Sequence, residues 1–144
     1  MMNIKFLKLD AAAILPTQAH DTDTGYDLYS VESVSIPARG SAIVNTGLQV
    51  GYIEPGYWFH IMPRSGLGFK HGIQPHLGVV DQGYRGSLGV KLYNFSHNNY
   101  TVPAGSKIAQ LIFYPLIKAD MSWTTEIENT DRGENGFGSS DKQS

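Results

Sequence analysis

The chain has 144 residues with a formal net charge of −2, and 41% of it is hydrophobic against 17% charged. That length suits one domain with a real hydrophobic core, and the charge offers no basic field for holding a polynucleotide. With no cysteine, disulfides and thiolate metal sites are excluded, and no apolar stretch approaches the roughly 20 residues that span a membrane.

At the N-terminus Met2, Ile4 and Phe6 alternate with Asn3 and Lys5, the pattern of a half-buried strand. Leu7 and Leu9 then slip the phase, which calls for a bulge or for burial on both faces near Phe6 and Leu7. Lys5, Lys8 and Asp10 interrupt this segment, so it lacks the apolar run of a signal peptide. Residues 10–15 and 66–70 make single helical turns at most. Three turns share one design, with proline presetting φ and glycine closing the bend: Pro37 with Gly40, Pro55 with Gly56, and Pro103 with Gly105. Strands rich in β-branched and aromatic residues are predicted at 41–46, 48–53 and 57–62. Others follow at 77–80, 88–94, 100–102 and 108–114.

No segment holds a 3.6-residue apolar period over three turns. The expected fold is therefore all-β: a sandwich, barrel or jelly roll. From Glu126 onward the chain is polar and broken by Gly133, Gly136 and Gly138, with Phe137 as the main aromatic exception. The predicted division is one all-β domain over 1–125 and a flexible arm over 126–144.

Five stretches carry more chemistry than a loop needs. The first, residues 21–30, sets Asp21, Asp23 and Asp27 around Gly25 and runs into a strand; a solvated Asp/Thr turn would read the same way. The second places Arg64, Ser65 and Gly66 straight after an apolar strand, where a guanidinium fork, a hydroxyl and backbone N–H groups can cradle phosphate. The third, residues 78–86, reads as a hairpin leading into strand 88–94, with Asp81, Tyr84 and Arg85 at its bend. Asp81 closes a run of small and apolar residues, where a carboxylate is costly unless paired or used. The fourth holds Gln110 inside an apolar strand, which by itself reads as a satisfied cross-strand amide. The fifth, residues 132–140, is glycine-rich and carries Arg132, Phe137, Ser139 and Ser140, without the strand and helix that flank a Walker A loop.

In this order and spacing, the five stretches resemble the five motifs of the trimeric deoxyuridine triphosphatases, from Thr24 to Ser140. The resemblance implies a β-sandwich of jelly-roll type forming a homotrimer, each active site being built from three subunits. It implies Mg²⁺-dependent hydrolysis of dUTP to dUMP and pyrophosphate by water attack on the α-phosphorus, which keeps uracil out of DNA and supplies dUMP. Residue by residue, Asp81 would activate the water and Asp27 would hold Mg²⁺ through water. Arg64, Ser65, Gly66 and Gln110 would line the phosphates. Gly78 and Val79 would bind uracil through backbone groups, and Tyr84 would lie under the deoxyribose, leaving no room for a 2′-hydroxyl. Arg132, Phe137, Gly138, Ser139 and Ser140 would close over the site from a neighbouring subunit.

Several positions depart from the family pattern. Asp23 and Thr24 stand where small residues precede the glycine, and Leu77 where a small residue is usual. Gly83 replaces a frequent acid, Lys107 a frequent arginine, and Ser140-Asp141 the usual Thr-Gly. The same fold serves dCTP deaminases, but those are expected to use a catalytic glutamate where this chain has Asp81 and Tyr84. The expected setting is the cytoplasm, or the host cytoplasm for a virus-encoded chain. Neither a nucleic acid nor a membrane is an expected partner, and a regulatory protein remains open, as is suspected for some viral relatives.

Overall fold

The computed structural model describes residues 1–136 and Gly138. Two four-stranded antiparallel sheets face each other across the core. The first runs in the order β1 (Ile4–Lys8), β4 (Ser41–Ile53), β8 (Ser87–Asn94) and β6 (Ile73–Pro75). The second runs β2 (Tyr26–Tyr29), β10 (Lys107–Pro115), β5 (Tyr57–Met62) and β7 (Gly78–Val80). A two-stranded ribbon of β3 (Val34–Ile36) and β9 (Tyr100–Val102) completes this all-β jelly-roll fold.

Alternation of side chains along each strand builds the interior. β4 buries Val44, Thr46, Leu48 and Val50, while β8 buries Leu88, Val90 and Leu92. Leu28, Phe59, Ile61 and Leu111 meet them from the second sheet, and Phe113 lies edge-on to Tyr26 at 5.6 Å. Each such aliphatic or aromatic burial contributes about 1.5–3 kcal/mol. Asn94 is buried with them, yet fully partnered. Its amide donates to the carbonyls of Ile36 (3.1 Å) and Asn98 (2.8 Å), and its oxygen accepts from Ser96.

The phase slip read near Phe6 is real: the β1–β4 register shifts between Lys5 and Phe6. The strands predicted at 41–46 and 48–53 are one continuous element. Gly47, at φ 71°, lets it bend where the β4–β8 register shifts between Asn45 and Gln49. A Cβ there would stand 2.9 Å from Val31 and 3.0 Å from Ala13. Residues 10–15 hold no helix but an Asp-nucleated turn, Ala12 N–H donating to Asp10 Oδ1 at 2.8 Å.

The hairpin expected over 78–94 does not form. β7 pairs with β5, while β8 pairs with both β4 and β6. With both edges of β8 taken, it has no free edge to offer β7, and residues 81–86 cross from one sheet to the other instead. The helix α1 (Ser65–His71) follows β5 and ends on Gly72, whose φ of 66° lets its N–H reach the carbonyls of Gly68 and Leu67. After Pro115 every described residue is exposed, including Ile117, Met121, Trp123 and Ile127. Among the described residues no helix is long and apolar enough to cross a membrane.

Candidate active site

The outer face of the second sheet carries one polar row. Asp27 on β2 lies opposite Gln110 on β10, which lies opposite Met62 on β5. Their chain neighbours Leu28, Leu111 and Ile61 point the other way, into the core. Asp27 is held by an exchanged pair of backbone hydrogen bonds with Thr17, of 2.7 and 3.3 Å. Its carboxylate is shared: Oδ1 accepts from Arg64 Nε at 3.0 Å, and Oδ2 faces Lys107 Nζ at 3.2 Å. The acid is only 16% exposed, the cations 32% and 37%, so solvent screens this group less than a surface pair. Gln110 donates from Nε2 to the Pro63 carbonyl at 2.8 Å, tying β10 to the turn that carries Arg64.

Asp23, Asp27, Arg64, Ser65, Lys107 and Gln110 line an open cleft of about 330 Å³ here. Two acids face two cations. The Asp23 carboxylate is engaged with the His20 N–H at 3.0 Å. Gly25 is required on the floor: a Cβ there would collide with the Gln110 side-chain carbonyl and lie 3.2 Å from Gln110 Cβ. Gly25→Ala should therefore lower stability by about 1–3 kcal/mol and raise KM as Gln110 leaves Pro63. Thermal denaturation and steady-state kinetics check this, and an unchanged melting temperature would count against it.

Lys107 belongs to this cleft although it was not among the binding residues expected from sequence. In a regular strand, residues 107 and 110 face opposite sides. The register shift between Lys107 and Ala109 changes that, burying both Ile108 and Ala109 and turning Lys107 to the same side as Gln110.

A second cluster lies where the chain crosses between the sheets. Ile61, Val79, Val80, Asp81, Tyr84 and Gly89 are among the residues lining a pocket of about 160 Å³. Gly78 sits opposite Ile61 on its edge. Asp81 is exposed rather than buried, so the cost of burying a carboxylate is not what sets it apart. It follows the Val80–Phe59 pair, whereas Gln110 pairs with Met62. By register, Asp81 and Asp27 are thus separated by about 13 Å along the strands and about 14 Å across them. One chain gathers Asp27, Arg64, Ser65 and Gln110 in one place and Val79, Asp81 and Tyr84 in another. Gly66 is exposed in α1, beside the first cleft.

Arg132 makes hydrogen bonds within its own loop, to the carbonyls of Asn135 (2.7 Å) and Gly136 (3.4 Å). Gly138 is exposed, with φ 78°. Phe137, Ser139 and Ser140 lie outside the described residues. Among the described residues no group of three or more carboxylates and imidazoles forms a metal cage.

The dUTPase family model matches residues 11–141. The chain belongs to the dUTPase family. It is 41% identical over 141 residues to the deoxyuridine 5′-triphosphate nucleotidohydrolase of Clostridium acetobutylicum, covering 96% of this chain and 97% of that enzyme. Its fold superposes on the Staphylococcus bacteriophage 80alpha dUTPase bound to dUPNHPP with a TM-score of 0.84, at 28% identity and over 95% of this chain and 97% of that one. A variant of the dUTPase from phage phi11 of S. aureus, described with a structural Mg(II) ion, matches with a TM-score of 0.78. There the identity is 25%, with 88% and 99% of the two chains covered.

Proposed function

We propose that the protein hydrolyses dUTP to dUMP and pyrophosphate with Mg²⁺. The observation that carries this reading is the cleft in which Asp27, Arg64, Lys107 and Gln110 converge, in a dUTPase chain whose Asp81 and Tyr84 line a separate small pocket. Arg64, Ser65 and Gln110 would grip phosphate oxygens, the guanidinium offering a planar fork. Two acids and two cations leave this cleft formally neutral, so the chain alone does not offset a triphosphate. Mg²⁺, held through water by Asp27, would supply that neutralisation when bound. Gly78 and Val79 would hold uracil, with Tyr84 beneath the deoxyribose. Asp81 would take the proton of the attacking water as the new O–P bond forms and the bond to the bridging oxygen breaks. Pyrophosphate would then leave.

The chemistry needs Asp81 and the phosphate cleft within a few ångströms of one phosphorus, and one chain holds them far apart. This supports a homotrimer in which each site borrows Asp81 from one subunit and Arg64 from another. The arm over 126–144 would extend from the 1–125 domain to cover a neighbour's site. The exposed Ile117, Met121, Trp123 and Ile127 support such a partner, since a lone chain leaves them in water. A closed threefold ring would let every subunit both lend and receive these groups. Sedimentation equilibrium should give a trimer as the active species, and an active monomer would refute the shared site. A cytoplasmic location, or the host cytoplasm for a virus-encoded chain, belongs to the same proposal.

Pyrophosphate release from dUTP, dCTP, dTTP and UTP, with and without Mg²⁺, tests the activity. The preference for dUTP over UTP and dTTP should be about 10²-fold or more in kcat/KM, because an added 2′-hydroxyl or 5-methyl must clash or strand buried polar groups. Comparable values on UTP would overturn this reading.

A further inference from the structure

Beside the small pocket, between its lining residues Tyr84 and Ser87, the chain carries a glycine that its backbone does not require. Gly86 has a φ outside the left-handed region, so an L-residue could adopt its conformation. What fills the space is Tyr84. Its ring folds back over Gly86, and a Cβ at Gly86 would stand 2.5 Å from Cζ and 2.8 Å from Cε1 of that ring. The hydroxyl is anchored just beyond, donating to the Ser87 carbonyl at 2.6 Å.

The turn beneath the ring is braced from several sides. Gln82 Oε1 accepts from the Gly56 N–H at 2.7 Å, Gln49 donates to the Arg85 carbonyl at 2.8 Å, and the Gly86 carbonyl accepts from the Val50 N–H at 3.1 Å. Arg85 closes the turn on itself, donating from Nη1 to the carbonyls of Gln82 and Tyr84 at 2.8 and 2.9 Å. Backbone held this way cannot step aside for a new methyl group, so the ring must move. Tyr84 is 42% exposed, and it can swing into solvent without opening the core.

We propose that Gly86 is a positioning residue for sugar discrimination: by carrying no side chain, it lets Tyr84 lie against the turn, where the ring meets the 2′ position of the nucleotide. The inference rests on the proposed dUTP reading, with Tyr84 beneath the deoxyribose. Gly86 itself touches no substrate; it acts through the ring. Its replacement separates two properties that a structural glycine would lose together, leaving stability in place while relaxing the choice of sugar.

The test measures kcat/KM for dUTP and for UTP, with melting temperatures, in the wild type, Gly86→Ala, Tyr84→Ala and the double variant. Gly86→Ala should melt close to the wild type and lower the dUTP/UTP ratio at least about tenfold, towards the value of Tyr84→Ala. The double variant should match Tyr84→Ala, because a residue acting only through the ring has nothing left to act on. Tyr84→Ala also clears the collision, so the double variant stays informative if the single one folds poorly. A wild-type ratio in Gly86→Ala beside a lowered ratio in Tyr84→Ala overturns the role of Gly86 alone, as does a further loss in the double variant. A wild-type enzyme without preference for dUTP overturns the underlying reading instead.

Discussion

Asp81→Asn is expected to keep the fold and nucleotide binding and to lower kcat by at least about 10²-fold. The amide has the shape of the carboxylate but cannot take the proton of the attacking water. Among the described residues the Asp81 side chain makes no hydrogen bond or ion pair; only its backbone carbonyl is used, accepting from the Tyr84 N–H at 3.0 Å. The side chain is also exposed. Nothing in the packing therefore asks for an acid there, and the melting temperature should not move. Single-turnover kinetics on dUTP, alongside binding of a non-hydrolysable analogue, separate the two effects. Normal turnover in this variant would make Asp81 a turn residue and remove the proposed base.

Truncation after Thr130 should leave a folded trimer whose kcat/KM for dUTP falls by about two orders of magnitude or more. Arg132 and Gly133 bond only to their own loop among the described residues, so removing them takes nothing from the core. If the arm is a lid, the loss falls on catalysis. A stacked Phe137 contributes roughly 1–3 kcal/mol by analogy with base–aromatic stacking, and Arg132 adds a charge-assisted phosphate contact. Without them water would enter and the γ-phosphate would lose its proposed clamp. The measurement is steady-state hydrolysis by the truncated chain with its melting curve. Full activity would show that the arm is no lid, and a lowered melting temperature without nucleotide would assign it to the core.

The two expected losses differ in kind. Asp81→Asn should act on kcat with KM little changed, whereas truncation of a lid would raise KM as well as lower kcat. Measured together, they also test the shared site. Mixing inactive Asp81→Asn chains with inactive truncated chains restores activity only if one site draws on different subunits.

Much was legible in the chain itself. The alternation of Met2, Ile4 and Phe6, the β-branched and aromatic runs of β4 and β5, and the prolines and glycines between strands marked the all-β fold, because each of those signals acts within a few residues. Gln110 stood out as polar among apolar neighbours, while its bond to the Pro63 carbonyl came only with the structure. Those patterns also held through the bend at Gly47, where the same face stays buried on both sides. The motif residues of the resemblance were legible for the same reason: residue type and spacing are properties of the chain.

What the tertiary structure alone decided is how these residues are grouped. β3 and β6 were not read from the sequence, although β7 and β9, equally short, were; their pairing with β9 and β8 is what defines them. Whether 78–94 forms a hairpin depended on the edges of β8, which β4 and β6 occupy, and no local pattern reports a competing partner. The bulge before Ala109 brought Lys107 round to Asp27, reversing the parity that counting along the strand assigns. The division of the site into an Asp27–Arg64 cleft and an Asp81–Tyr84 pocket likewise follows from strand order. Sequence specifies which groups are present and which face each prefers; the pairing of strands, set by competition for hydrogen-bonding edges, determines which of them meet.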